Sequence, residues 1–488
     1  MRTWFTVILC FTLILITGCT DNSNSSPTEK DQVEQVKSEK TAQMESHLKT
    51  ENIIYGPAGP IYKIDVTYDD KKHQISGTMH VSFVNNLDKT LEHIYFNLWP
   101  NAKEFKSGGV QVDNVQFNNK PVKFDVKKTK LNVSGLSLKT DEEATIKMDF
   151  TVTIPEMKNR FGWYDTNVSL GNWFPILAVY DNEGWNLDTY FAGGESFYSL
   201  TSDFDVTLKT NKGQMIATTG QSLGKVTMED GLAIHHFKAK NVRDFAIVMN
   251  SAFNQSTFNE NGIKINVFYE EENKEYAKYM MDTARYSLSL YGKLFGKYPW
   301  PELDIIGMPI NVGLGMEYPQ LVMISLKSDE EKEKYAIYHT TEHEIAHQWF
   351  YGAVGNNQYD EPWLDESFAS FASYIALHDK KPNFKWVRAI GKKYYHLTSP
   401  ASTFLKHKED DGLAMYGDVI YDYGAKALNE LRKKLGDDAF YKGMQAYFEE
   451  MKFKVATTAD FIRIMEQSSG EDLSKFFKDH RVYLDDTR

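Results

Sequence analysis

The chain has 488 residues, 42% hydrophobic, 25% charged and 14% aromatic, the make-up of a globular protein with room for two or three cores. Its 67 acidic residues outnumber the 55 basic ones, and the net charge of −12 argues against a general nucleic-acid binder. No self-similarity at a period of roughly 20 to 50 residues is visible, which excludes a solenoid array.

Residues 1–18 read as a secretory leader. Arg2 precedes an apolar run from Trp4 to Ile16 that is too short to span a bilayer comfortably. The run closes on Ile16-Thr17-Gly18-Cys19, which resembles the bacterial lipobox. That resemblance implies that the leader is removed and Cys19 lipidated; a plain signal peptide with a chance cysteine is the alternative. Cys10, the only other cysteine, would leave with the leader, so no internal disulfide is expected. Residues 19–50 are polar, free of aromatic side chains and rich in Ser, Thr, Glu and Lys. Such a composition cannot bury enough apolar surface to offset its ordering entropy, and predicts a disordered tether. No later apolar run is long enough to predict a membrane-spanning helix.

Residues 51–256 are expected to form an all-β domain. YKIDVTY (62–68), TMHVSFV (78–84), ATIKMDFTVTI (144–154) and SDFDVTLKT (202–210) alternate apolar and polar positions, and turn-rich stretches separate them. Helical periodicity is almost absent before about residue 270. Residues 257–488 differ. NKEYAKYMMDTARYSLSLYGKLF (273–295) sets Tyr276, Met280, Ala284, Leu288, Tyr291 and Phe295 on one helical face, and Gly296 and Pro299 stop it. LDIIGMP (303–309) reads as a short buried strand. Helices are predicted from there on, one of them capped by Thr458 and ended by Gly470. The fold class is therefore multidomain α+β, with a boundary near residue 256.

HTTEHEIAHQWF (339–350) carries three histidines at every fourth position. On a helix, positions i and i+4 share one face, so His343 and His347 can approach one ion, with Glu344 beside them to take a proton from water. Alone, this pattern is only moderately specific. A catalytic zinc site needs a third protein ligand and an open position. Eighteen residues beyond His347 stands Glu366, in PWLDESFASFASY (362–374), where Pro362 suits a first helical turn and Trp363, Phe368 and Phe371 provide a packing face. A second, antiparallel helix could bring Glu366 to the ion.

With HEIAHQWFYG and WLDESFA in place, the chain resembles the aminopeptidase N-type zinc metallopeptidases, which include the leukotriene hydrolases. The resemblance spans roughly residues 60–488. It implies an N-terminal saddle-shaped β domain followed by a mainly helical thermolysin-like domain. It further implies one Zn2+ per chain on His343, His347 and Glu366, with Glu344 as general base. His339 lies outside the pattern and is read as structural. GLGMEYP (313–319) matches the family's Gly-Ala-Met-Glu-Asn strand at Gly315, Met316 and Glu317, which implies that these bind substrate and that Glu317 holds its free α-amine. Tyr318 replaces the family asparagine, a departure that bears on fine selectivity. VIYDYGAKALNELR (419–432) aligns with the segment whose tyrosine stabilises the tetrahedral intermediate, and points to Tyr421, although Tyr423 stands nearby. The resemblance also implies an acidic or amide residue from the β domain beside the amine; RFGWYDTNVSLGNWFP (160–175) offers no clear counterpart, and it stays unassigned. Because the chain ends shortly after DLSKFFKDH, the large helical C-terminal domain of many relatives is expected to be missing, which would open the site to long peptides.

These expectations combine into a zinc aminopeptidase, lipid-anchored through Cys19 on the outer face of a bacterial membrane. Its partners would be peptides and the membrane, with no nucleic acid and an oligomeric state left open. The alternatives are a zinc endopeptidase with weak exopeptidase preference, a hydrolase of non-peptide substrates on the same site, and a non-enzymatic envelope protein. Retention of Glu344 beside three ligands argues against the last, because metal binding alone needs no base.

Overall fold

A computed structural model describes residues 59–311, 313–326, 330–378, 381–407 and 412–484. The leader, Cys19 and the tether lie outside the described residues. Among the described residues before Lys274 there is no α-helix, only single 3-10 turns such as Trp99–Asn101, so the N-terminal region is all-β. Its largest sheet holds Ile61–Asp69, Gln74–Val84, Glu143–Thr153 and Gly109–Phe117, with Ser202–Thr210 beside the first of these in parallel. Alternation along these strands buries one face: Tyr62, Ile64, Val66 and Tyr68 point inward from the first strand, while Ile61, Lys63 and Asp65 are exposed or half-exposed. Two four-stranded sheets, one including Leu91–Asn97 and the other Ile247–Asn250, complete the region.

A five-stranded sheet begins the second region, in the order Asn254–Glu260, Ile263–Tyr269, Glu302–Met308, Leu321–Ser325 and Gly315–Met316. The change of character read near residue 256 thus falls inside the first strand of this sheet. All seven residues of Glu302–Met308 are buried, as the apolar run LDIIGMP predicts for a strand covered on both faces. Around the sheet stand helices Lys274–Leu294, Glu330–Ala346, Trp363–Leu377, Gly424–Leu435, Asp437–Met451 and Thr458–Ser469. The cap of the last helix is Thr457 rather than Thr458. The Thr457 hydroxyl accepts from the Asp460 amide and the Asp460 carboxylate accepts from the Thr457 amide, while Gly470 closes the helix in the left-handed conformation.

Arg243 locks the β region to the helical one. Its buried guanidinium donates to the backbone carbonyls of Ser199, Tyr351 and Lys454. Three carbonyls from three segments leave this buried cation well hydrogen-bonded.

Candidate metal centre and its cavity

His343 and Glu344 lie in the last turn of Glu330–Ala346. His347 follows immediately, and its amide still donates to the His343 carbonyl at 3.2 Å, so the i, i+4 geometry outlasts the regular helix. Glu366 comes from the first turn of Trp363–Leu377, which Pro362 initiates. The Nε2 atoms of His343 and His347 stand 3.0 Å apart and lie 3.2 and 3.4 Å from Oε2 of Glu366. Ligand atoms of the three residues, all buried, lie within 4.8 Å of one another, close enough for one cation to touch all of them.

The surroundings suit such a cation. Nδ1 of His347 faces two acceptors, Oδ1 of Asp365 at 2.6 Å and the Phe350 carbonyl at 3.2 Å. These acceptors put the ring proton on Nδ1 and leave the Nε2 lone pair turned to the other ligands. The second oxygen of Asp365 accepts from Nε2 of Gln358 at 2.6 Å. Burial opposes a charge on His347, but Asp365 and Glu366 outweigh it and favour a positive charge on the ring, a place that a cation on Nε2 would take over from a second proton. Burial would likewise raise Glu366, yet hydrogen bonds from His343 and His347 hold it well below the usual carboxylate range. Two imidazoles and one carboxylate, with an outer carboxylate on one ring, form the donor set that zinc favours when a coordination position stays open. The fit extends to Glu344, whose Oε2 is buried with no hydrogen-bond partner among the described residues. Burial pushes Glu344 up to about 8, and a cation beside it would bring it down again.

These groups line a cavity of about 340 Å³. Glu317 reaches it from the end of the edge strand Gly315–Met316, which pairs antiparallel with Leu321–Ser325. Side chains alternate along a strand, so Gly315 and Glu317 face the cavity while Met316 turns into the core beside Tyr318 and Met323. Met316 is therefore corrected from a substrate contact to a core residue. Gln348, next to the second histidine, fixes this turn: its Oε1 accepts from the Gln320 amide at 2.8 Å and its Nε2 donates to the Tyr318 carbonyl at 3.2 Å. Tyr318 itself points away from the cavity. Its hydroxyl donates to Oδ1 of Asn172 at 3.0 Å, and the Asn172 amide donates on to Asp244. Gly171 makes room for it, because a Cβ there would lie 1.8 Å from the Tyr318 hydroxyl.

Sequence reasoning missed the second carboxylate near Glu317. It is Glu195, in Gly193-Gly194-Glu195-Ser196, which lines the cavity and lies outside the stretch 160–175. Arg160, from the start of that stretch, does reach the cavity and donates through Nη1 to Oε2 of Glu195 at 2.5 Å. Glu195 lies on backbone without regular structure, so no periodicity betrays it; the paired glycines were the only available signal. A Cβ on Gly194 would meet the Tyr416 hydroxyl at 2.6 Å, so this loop passes close against the helical wall. Burial raises both Glu195 and Glu317, the latter well above the ordinary range and further under the influence of Glu195.

Tyr421 sits in a π-helical turn, Gly417–Tyr423, the wide type of turn that often marks functional positions. It lines the cavity, its ring runs nearly parallel to that of His343 with centroids 5.9 Å apart, and its hydroxyl donates to Oε1 of Glu366 at 2.5 Å. Burial and the Glu366 charge hold the phenol well above its ordinary range, so it remains a donor. Tyr423 instead faces His480, with ring centroids 6.4 Å apart. His339 also lines the cavity, against Tyr374 at 5.4 Å between ring centroids. Arg160 is the only arginine or lysine among the described lining residues, set against Glu195, Glu317, Glu344 and Glu366. A buried excess of carboxylates calls for cations.

Residues 279–480 match the Peptidase family M1 domain. That stretch, the larger part of the second region, is thus similar to peptidase family M1. It is 25% identical over 350 residues to aminopeptidase M1-B of Oryza sativa subsp. japonica, an alignment covering 67% of this chain and 39% of the relative. It is 28% identical over 218 residues to probable aminopeptidase 2 of Sulfurisphaera tokodaii, covering 41% and 28%. With human endoplasmic reticulum aminopeptidase 1 it shares 24% over 285 residues, covering 54% and 30%. The chain thus spans well under half the length of these relatives. The M1 match contains both histidines, Glu344, Glu366, Glu317 and Tyr421, whereas Glu195 and Arg160 precede it.

Proposed function

We propose that the protein is a zinc aminopeptidase that removes the N-terminal residue of peptides. The observation that carries this reading is that two buried carboxylates, Glu317 and Glu195, share one cavity with the group His343, His347 and Glu366. An ammonium group there meets negative charge that otherwise has only Arg160 to balance it, and a peptide held by its ammonium presents its first carbonyl to the metal end. Zinc on the three ligands, one per chain, would supply an activated water and a Lewis acid. Glu344, buried and unpaired, accepts a proton from the attacking water and delivers it to the leaving amine. The Tyr421 hydroxyl, a donor beside Glu366, is in position to stabilise charge growing on the carbonyl oxygen. Asp365 keeps His347 in the ligating tautomer.

The same reading takes 51–256 as a saddle-like β domain and 257–488 as a thermolysin-like catalytic domain. It makes the chain a lipoprotein held through Cys19 on the extracytoplasmic face of a bacterial membrane, supported by the leader and by Ile16-Thr17-Gly18-Cys19. The test is hydrolysis of free and N-acetylated aminoacyl amides by wild type and by Glu317→Ala. Wild type should cleave only the free amine. Losing one member of a desolvated charge contact costs ~2–5 kcal/mol, so the variant should lose at least about 30-fold in kcat/KM while keeping its zinc. Equal rates on free and blocked substrates would leave an endopeptidase instead.

A further inference from the structure

A second cavity, of about 260 Å³, adjoins the first through a residue common to both walls, Asp422. Its lining combines Trp386, Val387 and Ile390 with Met415, Asp418 and Asp422 from the helical run that carries Tyr421. Asp418 and Asp422 stand four residues apart in the π-helical turn, whose pitch sets near neighbours along one side. Asp418 is exposed and Asp422 half-buried. Burial and the Asp418 charge push Asp422 up to about 6, the behaviour of two carboxylates that a cation would relieve. Among the described residues neither carboxylate sits in an ion pair, and Arg388, in the same lining, pairs with neither. The connecting wall is aromatic: Tyr374 donates to Asp422 at 3.4 Å and lies between His339 and Trp386, tilted to the first and edge-on to the second, at 5.4 and 6.2 Å between centroids. Trp386 is 55% exposed, unusual for a tryptophan with no opening to line.

The ligand helix gives the direction. Gln348, at its C-terminal end, holds the turn that bears Glu317, while His339 abuts Tyr374 at the other end of the cavity. His339 and His347 are eight residues apart, roughly 12 Å along a helix. An extended peptide advances about 3.3 Å per residue, so the third and fourth residues of a substrate fixed by its ammonium at Glu317 lie ~7 and ~10 Å along the cavity, and a long side chain on either covers the rest of the way to Asp422.

We propose that the second cavity is a subsite for a lysine or arginine at the third or fourth position of a peptide substrate, with the alkyl stem along Trp386 and Val387 and the cation between Asp418 and Asp422. The proposal rests on the aminopeptidase reading. An apolar wall ending in carboxylates matches a side chain with an apolar stem and a charged head.

The test uses zinc-loaded protein and hexapeptides with a free N-terminus and identical first two residues. Lysine, alanine or glutamate is placed in turn at positions three to six, and a leucine amide serves as a reference. Lysine at position three or four should raise kcat/KM about threefold to tenfold over alanine, the range for partly exposed charge pairs acting together. In Asp418→Asn the lysine-to-alanine ratio should fall towards one. Equal rates for lysine, alanine and glutamate, or a preference for glutamate through Arg388, would overturn the subsite while leaving the peptidase intact. If the leucine amide and every peptide stayed uncleaved, the aminopeptidase reading would fail and the subsite with it.

Discussion

Gly315→Ala isolates the position of Glu344 from every other property of the centre. A Cβ at residue 315 would lie 2.3 Å from Oε1 of Glu344 and 2.6 Å from both its Cδ and Cγ, where ordinary contact begins at 3.4 Å. The whole outer part of the glutamate must therefore retreat by about 1 Å. Its backbone stays fixed in the last helical turn between two metal ligands, so the displacement falls on the carboxylate. A misplacement of about 1 Å costs on the order of 10² in rate when a group acts by its position. Overpacking should cost a further ~1–3 kcal/mol of stability, a tolerable loss for a chain of this size. The assay is kcat on an aminoacyl amide at saturating zinc, with metal content and Tm measured on the same sample. The expected result is one zinc per chain, a modest fall in Tm and kcat lower by about 100-fold. A folded, zinc-loaded variant turning over within about threefold of wild type would refute the role given to Glu344.

Two further outcomes follow from the surroundings of the centre. Asp365→Ala removes the acceptor 2.6 Å from Nδ1 of His347 and should weaken zinc binding by ~10–100-fold in a competition titration against a chelator; unchanged affinity would remove Asp365 from the metal site. Burial lowers His339 to about 4, so the unfolded chain takes up its proton first, and the stability this residue contributes is present above about 6.5 and lost as pH falls towards 4. That loss amounts to ~3 kcal/mol, and denaturant titrations of His339→Phe should show a flatter decline across that window; parallel curves would contradict it.

The parts legible in the sequence were those with a period. Alternation located Ile61–Asp69 and Ser202–Thr210 almost to the residue, and the 3.6-residue pattern located Lys274–Leu294. The histidine pair and Glu366 were legible because two helices hold fixed spacings. Glu195 was not, because it rides on irregular backbone whose path is set by the approach of Gly194 to Tyr416 rather than by local pattern. Met316 was misread because a three-residue motif was taken whole, although a strand can offer only alternate residues to one side. Asp365 was visible in WLDESFA, but its service to His347 depends on the packing of two helices, which spacing alone does not express. Thr457 and Thr458 are neighbours with the same side chain, and only the reciprocal bond to Asp460 separates cap from first turn.

The central claim is that one zinc ion on His343, His347 and Glu366, served by Glu344, performs peptide hydrolysis. Its most direct measurement is a titration of chelator-stripped protein with zinc, following bound metal and aminoacyl-amide hydrolysis together in wild type and in Glu344→Gln. Wild-type activity should rise in proportion to occupancy and stop at one zinc per chain, while Glu344→Gln binds the same single zinc and stays inactive. Full turnover by the stripped protein, or by zinc-loaded Glu344→Gln, would contradict it.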